Sequence, residues 1–204
     1  MLWAASWAEQ AAAQTSGAID PDPEVTSEVR DPSVYWEVPL VHTFGLMTGM
    51  RTFEAIIWPQ PFAETEPLDW AYHYGEAFTR PPKWDSSQSS FEWDGDPWYV
   101  NVIGHGLLGS ELYMRSRVCR HDPVASLLFA AGTTAMWDYV FEGNAVRPSG
   151  LDLWYTPLAG FLLGEVRYVA WRAASSIGDV RWRVPMTLLL DPFGEIERAL
   201  GTPC

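Results

Sequence analysis

From Trp98 onward the chain reads as helix. Apolar residues recur three and four apart over Trp98–Arg117, and no alternating apolar–polar run of useful length competes. A second helix follows Asp122-Pro123, with aspartate suited to the N-cap and proline to the first helical position. It continues through VASLLFAAGTTAMWDYVFEG and is expected to stop at Gly143-Asn144. Ser149 opens a third helix, with Asp152 three residues on in near capping-box spacing. Thr156-Pro157 predicts a kink or restart, after which LAGFLLGEVRYVAWRAASS carries the helix on. Residues 181–201 predict a short apolar element broken at Asp191-Pro192, then a last amphipathic turn or two.

Upstream, residues 34–58 predict a helix starting near Pro39, apolar on most faces and ended by Pro59 and Pro61. Its Gly45 and Gly49 lie four apart on one face, where small residues let a second helix come close. Residues 59–97 read as a long irregular connection, and Trp70, Trp84 and Trp93 argue that it packs onto something. Residues 15–33 are polar, acidic and proline-rich, as in a disordered or extended leader.

The pattern therefore predicts an all-α fold. The expected form is a compact bundle of about four to five helices over residues 34–204, with a signature core at 91–171 and a leader at 1–33. The helices near 124–141 and 153–171 are apolar almost all round, which suits the centre of a bundle or a membrane. Asp138, Glu142 and Glu165 interrupt any uncharged run of about 18 residues, so a soluble or membrane-apposed bundle is favoured over spanning helices.

Charge sharpens this. Residues 1–100 hold 16 acids and 4 bases, and residues 101–204 hold 10 acids and 9 bases, together the net −13 of the chain. A basic nucleic-acid footprint is absent, so no nucleic-acid partner is expected. The acidic half would be repelled by an anionic membrane surface. The 12 tryptophans suit core edges, interfaces or a membrane boundary. Cys119 and Cys204 do not form a metal-binding pair; a free C-terminal thiol is the plainer expectation, with a disulfide between them left open. The start, MLWAASWAEQAAAQ, lacks a basic region and carries Glu9. It reads equally as a short helix or as the small-residue end of a secretory signal.

The candidate chemistry lies in three segments. In Phe91–Arg117, Asn101 and His105 are four apart on one helix face, and Gly104, Gly106 and Gly109 surround the histidine. Glycines at this density suggest close approach by another backbone or a ligand, because they cost helix stability. Asp138 and Glu142 are four apart near the end of an apolar helix, where acids oppose the helix dipole. They are expected to meet His105 or an arginine from Arg115, Arg117 and Arg120, either as a buried ion pair or as a general base or metal ligand. Asp152 has a bland role in the Ser149 cap. Glu165 follows Gly160-x-x-x-Gly164 and is expected to face a helix, paired with Arg115 or Arg167. Asp94 and Asp96 around Gly95 predict a turn rather than a calcium loop. Hydrolase, kinase, zinc-protease and dehydrogenase motifs are absent.

The order of these pieces resembles the bacterial domain-of-unknown-function family 3943. The resemblance rests on Asp96 and Trp98; Asn101, His105, Gly109, Ser110 and Tyr113; Arg115 and Arg117; Trp137, Asp138 and Glu142; Pro148, Ser149, Asp152 and Leu153; and Gly160, Gly164 and Glu165. It covers roughly residues 34–201, including the closing LLLDPFGEIERALG. Gly106 departs from it, since the family usually has proline there. The resemblance implies a helical domain of the bacterial envelope, often exported, and supplies no activity.

The expected protein is an envelope-associated helical protein with a polar cluster and a binding or structural role at the membrane face. Its candidate site comprises His105, Glu142 and Asp152, with Asn101, Arg115, Asp138, Glu165, Trp98 and Trp137 as binding residues. No metal or cofactor is expected, and the partner expected is a membrane lipid or envelope component. The rival is a hydrolase or transferase of an envelope lipid or glycan with His105 as general acid/base. An open pocket where His105 meets the acids would favour the enzyme, and a sealed, mutually satisfied cluster would favour the scaffold.

Overall fold

The computed structural model describes residues 36–58, 63–202 and 204. The expected leader and signal remnant, and the helix-ending Pro59 and Pro61, lie outside the described residues. Within them are seven α-helices and no strand: α1 Glu37–Ile57, α2 Pro67–Thr79, α3 His105–Val118, α4 Pro123–Met136, α5 Asp152–Ser175, α6 Val180–Leu190 and α7 Pro192–Ala199. The all-α expectation holds, with more helices than predicted. The additional ones have plain causes. Pro67 starts α2 inside the supposed irregular connection. Asp191-Pro192 splits the C-terminal stretch, where the Asp191 carboxylate accepts from the Gly194 amide and starts α7. Asp122 caps α4 as expected, accepting from the amides of Val124 and Ala125.

The central helix is α3, and it is not the most apolar one. Leu108, Leu112 and Tyr113 of α3 pack with Met47 of α1, Ala130 of α4 and Trp137. Ser110, Glu111, Arg115 and Ser116 on the same helix are also buried. α5 crosses α3 at its small residues. A β-carbon on Gly109 would lie 2.1 Å from the Thr156 carbonyl oxygen, and one on Gly160 would lie 2.5 Å from the Gly109 backbone. These two glycines thus set the approach of the helices. α5 runs unbroken through Pro157. Gly45 and Gly49 do the opposite of what was expected. Nothing among the described residues lies within 4 Å of the β-carbon position of either, so no described helix packs on that face of α1.

Two π turns flank the centre. Val100–Gly104 leads into α3, with the His105 amide bonded to the Val100 carbonyl. Trp137–Phe141 extends α4, with the Glu142 amide bonded to the Trp137 carbonyl. The loop before α3 straps across the start of α5: the Lys83 amide donates to the Pro148 carbonyl and the Gly150 amide to the Lys83 carbonyl. At the other end, Cys119 and Cys204 form a disulfide across 85 residues, which corrects the free-thiol expectation. The packing of α7 beside α3 brings the last residue to the end of α3, a proximity that sequence spacing does not reveal.

Candidate functional site: an acid–histidine centre beside an aromatic cleft

The strap, the two π turns and the start of α5 meet at one place. Asp94 is its organiser. Asp94 Oδ1 accepts from Asn101 Nδ2 at 2.8 Å and from the Asp96 amide at 3.1 Å, while Oδ2 accepts from Ser149 Oγ at 2.5 Å. Asn101 Nδ2 also donates to the Phe91 carbonyl. The turn expected at Asp94-Gly95-Asp96 is present, with Gly95 at φ +97° as only glycine adopts easily. Ser149 Oγ accepts from the Asp152 amide, so it caps α5 as expected. The Asp152 carboxyl does not complete a reciprocal box. Its Oδ2 lies 3.4 Å from His105 Nε2, and Oδ1 has no hydrogen bond.

His105 Nδ1 lies 3.2 Å from Thr156 Oγ1. Burial holds the ring well below its usual range, to about 4, with the Asp94 charge pulling upward. Burial lifts Asp152 to about 9, helped by Asp138 and Asp94 and opposed by the Ser149 hydroxyl, with Asp96 a smaller push. The two shifts together favour a neutral acid beside a neutral imidazole over an ion pair, because two charges cost more to desolvate than their attraction returns here. Nδ1 thus shares a hydrogen bond with Thr156 Oγ1, while Nε2 faces the Asp152 carboxyl at 3.4 Å without a well-formed hydrogen bond. Both ring nitrogens face groups of the protein, which suits a fixed structural or binding element better than a proton shuttle.

Asp138 lies behind this pair at 1% exposure, and neither of its oxygens makes a well-formed hydrogen bond. Burial lifts it to about 8, the Ser149 amide pulling the other way and Asp94 and Asp96 adding to the rise. Glu142, although four residues on, faces elsewhere. The π turn between them alters the spacing of a regular helix, so Glu142 lines a cleft while Asp138 is sealed. The same applies to Asn101 and His105, which end with different partners. Burial, Asp138 and Glu54 raise Glu142 well above the usual carboxylate range, against the pull of Arg51 and with a further push from Asp152. Asp96, on the same cleft, is raised to about 6 by burial and Asp94, with Lys83 opposing.

The cleft encloses about 380 Å³ between α1, the first π turn and the second. His105 and Trp137 are on its wall, and Phe53, Trp58 and Tyr99 line it as well. The sequence pointed to Asn101, His105, Asp138, Glu142, Asp152 and Trp137, and the fold brings all of these to one centre or its cleft. It missed the α1 side, Glu54 and Trp58, because an exposed helical face carries no motif. Trp98 is half exposed, and its amide bonds Glu92.

Two expected members are elsewhere. Glu165 receives Arg117 Nε at 2.8 Å and the Tyr113 hydroxyl at 2.7 Å, which holds its carboxyl below the usual range. Arg117, rather than Arg115 or Arg167, is therefore its partner. Arg115 is fully buried in a second network. It donates to Asp191 at 2.7 Å and Glu111 at 3.2 Å, and lies 3.3 Å from Glu197. His42 joins this network at 2.6 Å from Glu197, and Arg167 at 2.8 Å from Glu111. These residues tie α1, α3, α5 and α7 together. Of these, His42, Glu111 and Glu197 were not singled out, because partners such as His42 and Glu197 lie 155 residues apart. No group of three or more His, Cys, Asp or Glu side chains stands at metal-holding spacing among the described residues.

An all-α domain with charged groups packed along its central helix and an acid–histidine centre at its edge is the class defined here. The chain belongs to the family described as Domain of unknown function (DUF3943), whose model matches residues 90–193. That span contains His105, Asp138, Glu142 and Asp152, whereas the α1 wall of the cleft lies outside it. No curated protein and no solved structure matches the chain.

Proposed function

We propose that this is an envelope-associated protein that seats against a membrane and holds a binding centre at His105 and its surrounding acids. The supporting observation is the distribution of polarity. Buried positions include Glu111, Arg115, Asp138, Asp152 and Asp191, while outward faces carry large apolar side chains. On α5, Trp154, Leu158, Leu162, Val166 and Val169 are all substantially exposed, from 41% to 66%. They form one stripe roughly 22 Å long at 1.5 Å per residue. Monomers in water rarely leave contiguous apolar faces of this kind bare. A bilayer surface welcomes them, and polar groups in membrane-associated bundles turn inward. The segment Pro123–Phe141 also has the length and hydropathy of a membrane span, with 33% of its apolar window buried. The Cys119–Cys204 disulfide accords with an oxidising compartment outside the cytosol.

Vesicle flotation tests the reading. The wild-type protein is expected to float with zwitterionic vesicles, and Leu162→Asp with Val166→Asp is expected to stay behind. Both positions are 66% exposed, so the fold should survive the change. Recovery of the wild type entirely in the dense fraction, or equal flotation of the double variant, would refute it.

A further inference from the structure

Beside the His105 centre, the cleft has an unusual lining. Phe53, Trp58 and Tyr99 supply exposed aromatic surface, and Asp96 and Glu142 supply carboxyls. Neither carboxyl has a hydrogen-bond or ion-pair partner among the described residues. By contrast, Glu54 on the same wall is already held by Arg51 at 3.1 Å. The volume, about 380 Å³, falls within the range of small-molecule sites, roughly 300–1,000 Å³.

The polar lining is acidic almost throughout. Apart from His105, whose nitrogens face Thr156 and Asp152, no side-chain nitrogen donor among the described residues lines the cleft other than the Trp58 and Trp137 indoles. An anion would meet acids, and a sugar would find few donors to match its own acceptors. A bare divalent ion would need three converging ligands, which are absent among the described residues. Ring faces combined with unpaired carboxyls suit a weakly hydrated positive charge, since the quadrupole of each ring and the acid both attract it.

We propose that the cleft binds an organic ammonium group carried on an apolar or short alkyl body, with Trp58 and Tyr99 as the aromatic walls, Asp96 as counter-charge and Glu142 giving up its proton as the cation enters. This deepens the binding role proposed above and rests on it. The ammonium could be borne by a lipid headgroup or by a free amine, and the chemistry recognised is the same. The positions of Trp58 and Tyr99 support the assignment. Each is 55% exposed with no ligand present, so surface that an apolar fold would bury is left for an occupant.

The test uses the full-length protein, with choline as probe and its uncharged carbon isostere, 3,3-dimethylbutanol, as control, at constant ionic strength. Tryptophan fluorescence and calorimetry read the binding. Choline is expected to bind at least about tenfold more tightly than the isostere, a gap of about 1.4 kcal/mol. Trp58→Ala and Glu142→Gln are each expected to weaken choline by a similar factor, whereas Trp182→Ala, an exposed tryptophan on α6, should not. Trp58 is exposed, so its variant guards against loss of fold being mistaken for loss of binding. Equal binding of choline and the isostere, no choline binding at tens of millimolar, or unchanged affinity in both cleft variants would overturn the proposal. Phosphatidylcholine vesicles then separate the sources. Displacement of bound choline assigns a lipid headgroup and its persistence assigns a free ammonium, and either result upholds the site. Choline binding is measured without vesicles, so its failure would leave the flotation test standing, and the converse also holds.

Discussion

Asp138 gives the sharpest test of how the centre is built. It is sealed in the fold, both its oxygens lack a well-formed hydrogen bond, and its carboxyl is raised from 3.8 to about 8. A raised acid favours the protonated form in the folded state. The stability it contributes is fully present below the unfolded value of 3.8 and is lost as pH rises through about 8. Each unit is worth about 1.36 kcal/mol, so the whole window amounts to roughly 6 kcal/mol. Asp138→Asn keeps the shape and removes the titration. The amide brings its own cost, about 1–3 kcal/mol if its hydrogens stay unpaired, but that cost does not vary with pH. The informative quantity is therefore the difference between variant and wild type at two pH values. Between about pH 5.5 and pH 9 it should move by about 3 kcal/mol in favour of the variant, since about 2.5 units of the window lie in that interval. For a domain of this size that is a shift of roughly 6–12 °C in the difference of melting temperatures. Thermal melts followed by circular dichroism at both pH values suffice. Asp138 also pushes Asp152 and Glu142 upward, so removing its charge lowers both in the variant and moves the difference in the same direction. A difference that stays constant within about 1 kcal/mol across the interval would refute a buried, protonated Asp138.

Two further outcomes follow from the packing. Gly109→Ala should destabilise by about 3 kcal/mol or more, because its β-carbon meets the Thr156 carbonyl and the helices must part. Gly45→Ala, with nothing within 4 Å, should instead stabilise α1 by about 0.5–1 kcal/mol; melting both variants checks the pair, and a large loss at Gly45 would reveal a partner on that face. Cys204→Ser should cost about 4–5 kcal/mol through the freed 85-residue loop, and reductant should lower the wild-type melting temperature toward that of the variant. An unchanged melting temperature in reductant would show that the disulfide does not hold the C-terminus.

Much of this protein was legible along the chain. Apolar spacing and caps such as Asp122-Pro123 and Asp191-Pro192 are local, so the all-α class, most helix starts and the Gly160-x-x-x-Gly164 contact could be read directly. The His105, Asp138, Glu142 and Asp152 candidates also stood out, because acids and a histidine within apolar helices are costly wherever they end up. Their geometry was not legible. Asn101 with His105, and Asp138 with Glu142, have the spacing of one helix face, but a π turn lies within each pair and sends its members to different surroundings. α2 was missed because it is short and lies between proline-rich stretches, PQPFAETEP leading into it and RPP after it, which read as loop.

The sequence by itself determined the helices, their caps and the residues too polar to be indifferent to burial, because each depends on neighbours within a few positions. Only the tertiary structure decided which helix lies at the centre and which faces remain bare. It placed the charged α3 inside, where Arg115 meets acids from α7, and left the apolar stripe of α5 outside. Hydrophobicity alone would have ordered those two helices the other way. The reason is that burial of a charge depends on partners far along the chain, and Arg115 finds Asp191 only after 76 residues have folded back. The cleft has the same origin. Trp58 and Glu142 become neighbours through the meeting of α1 with the second π turn, a contact that no local pattern encodes.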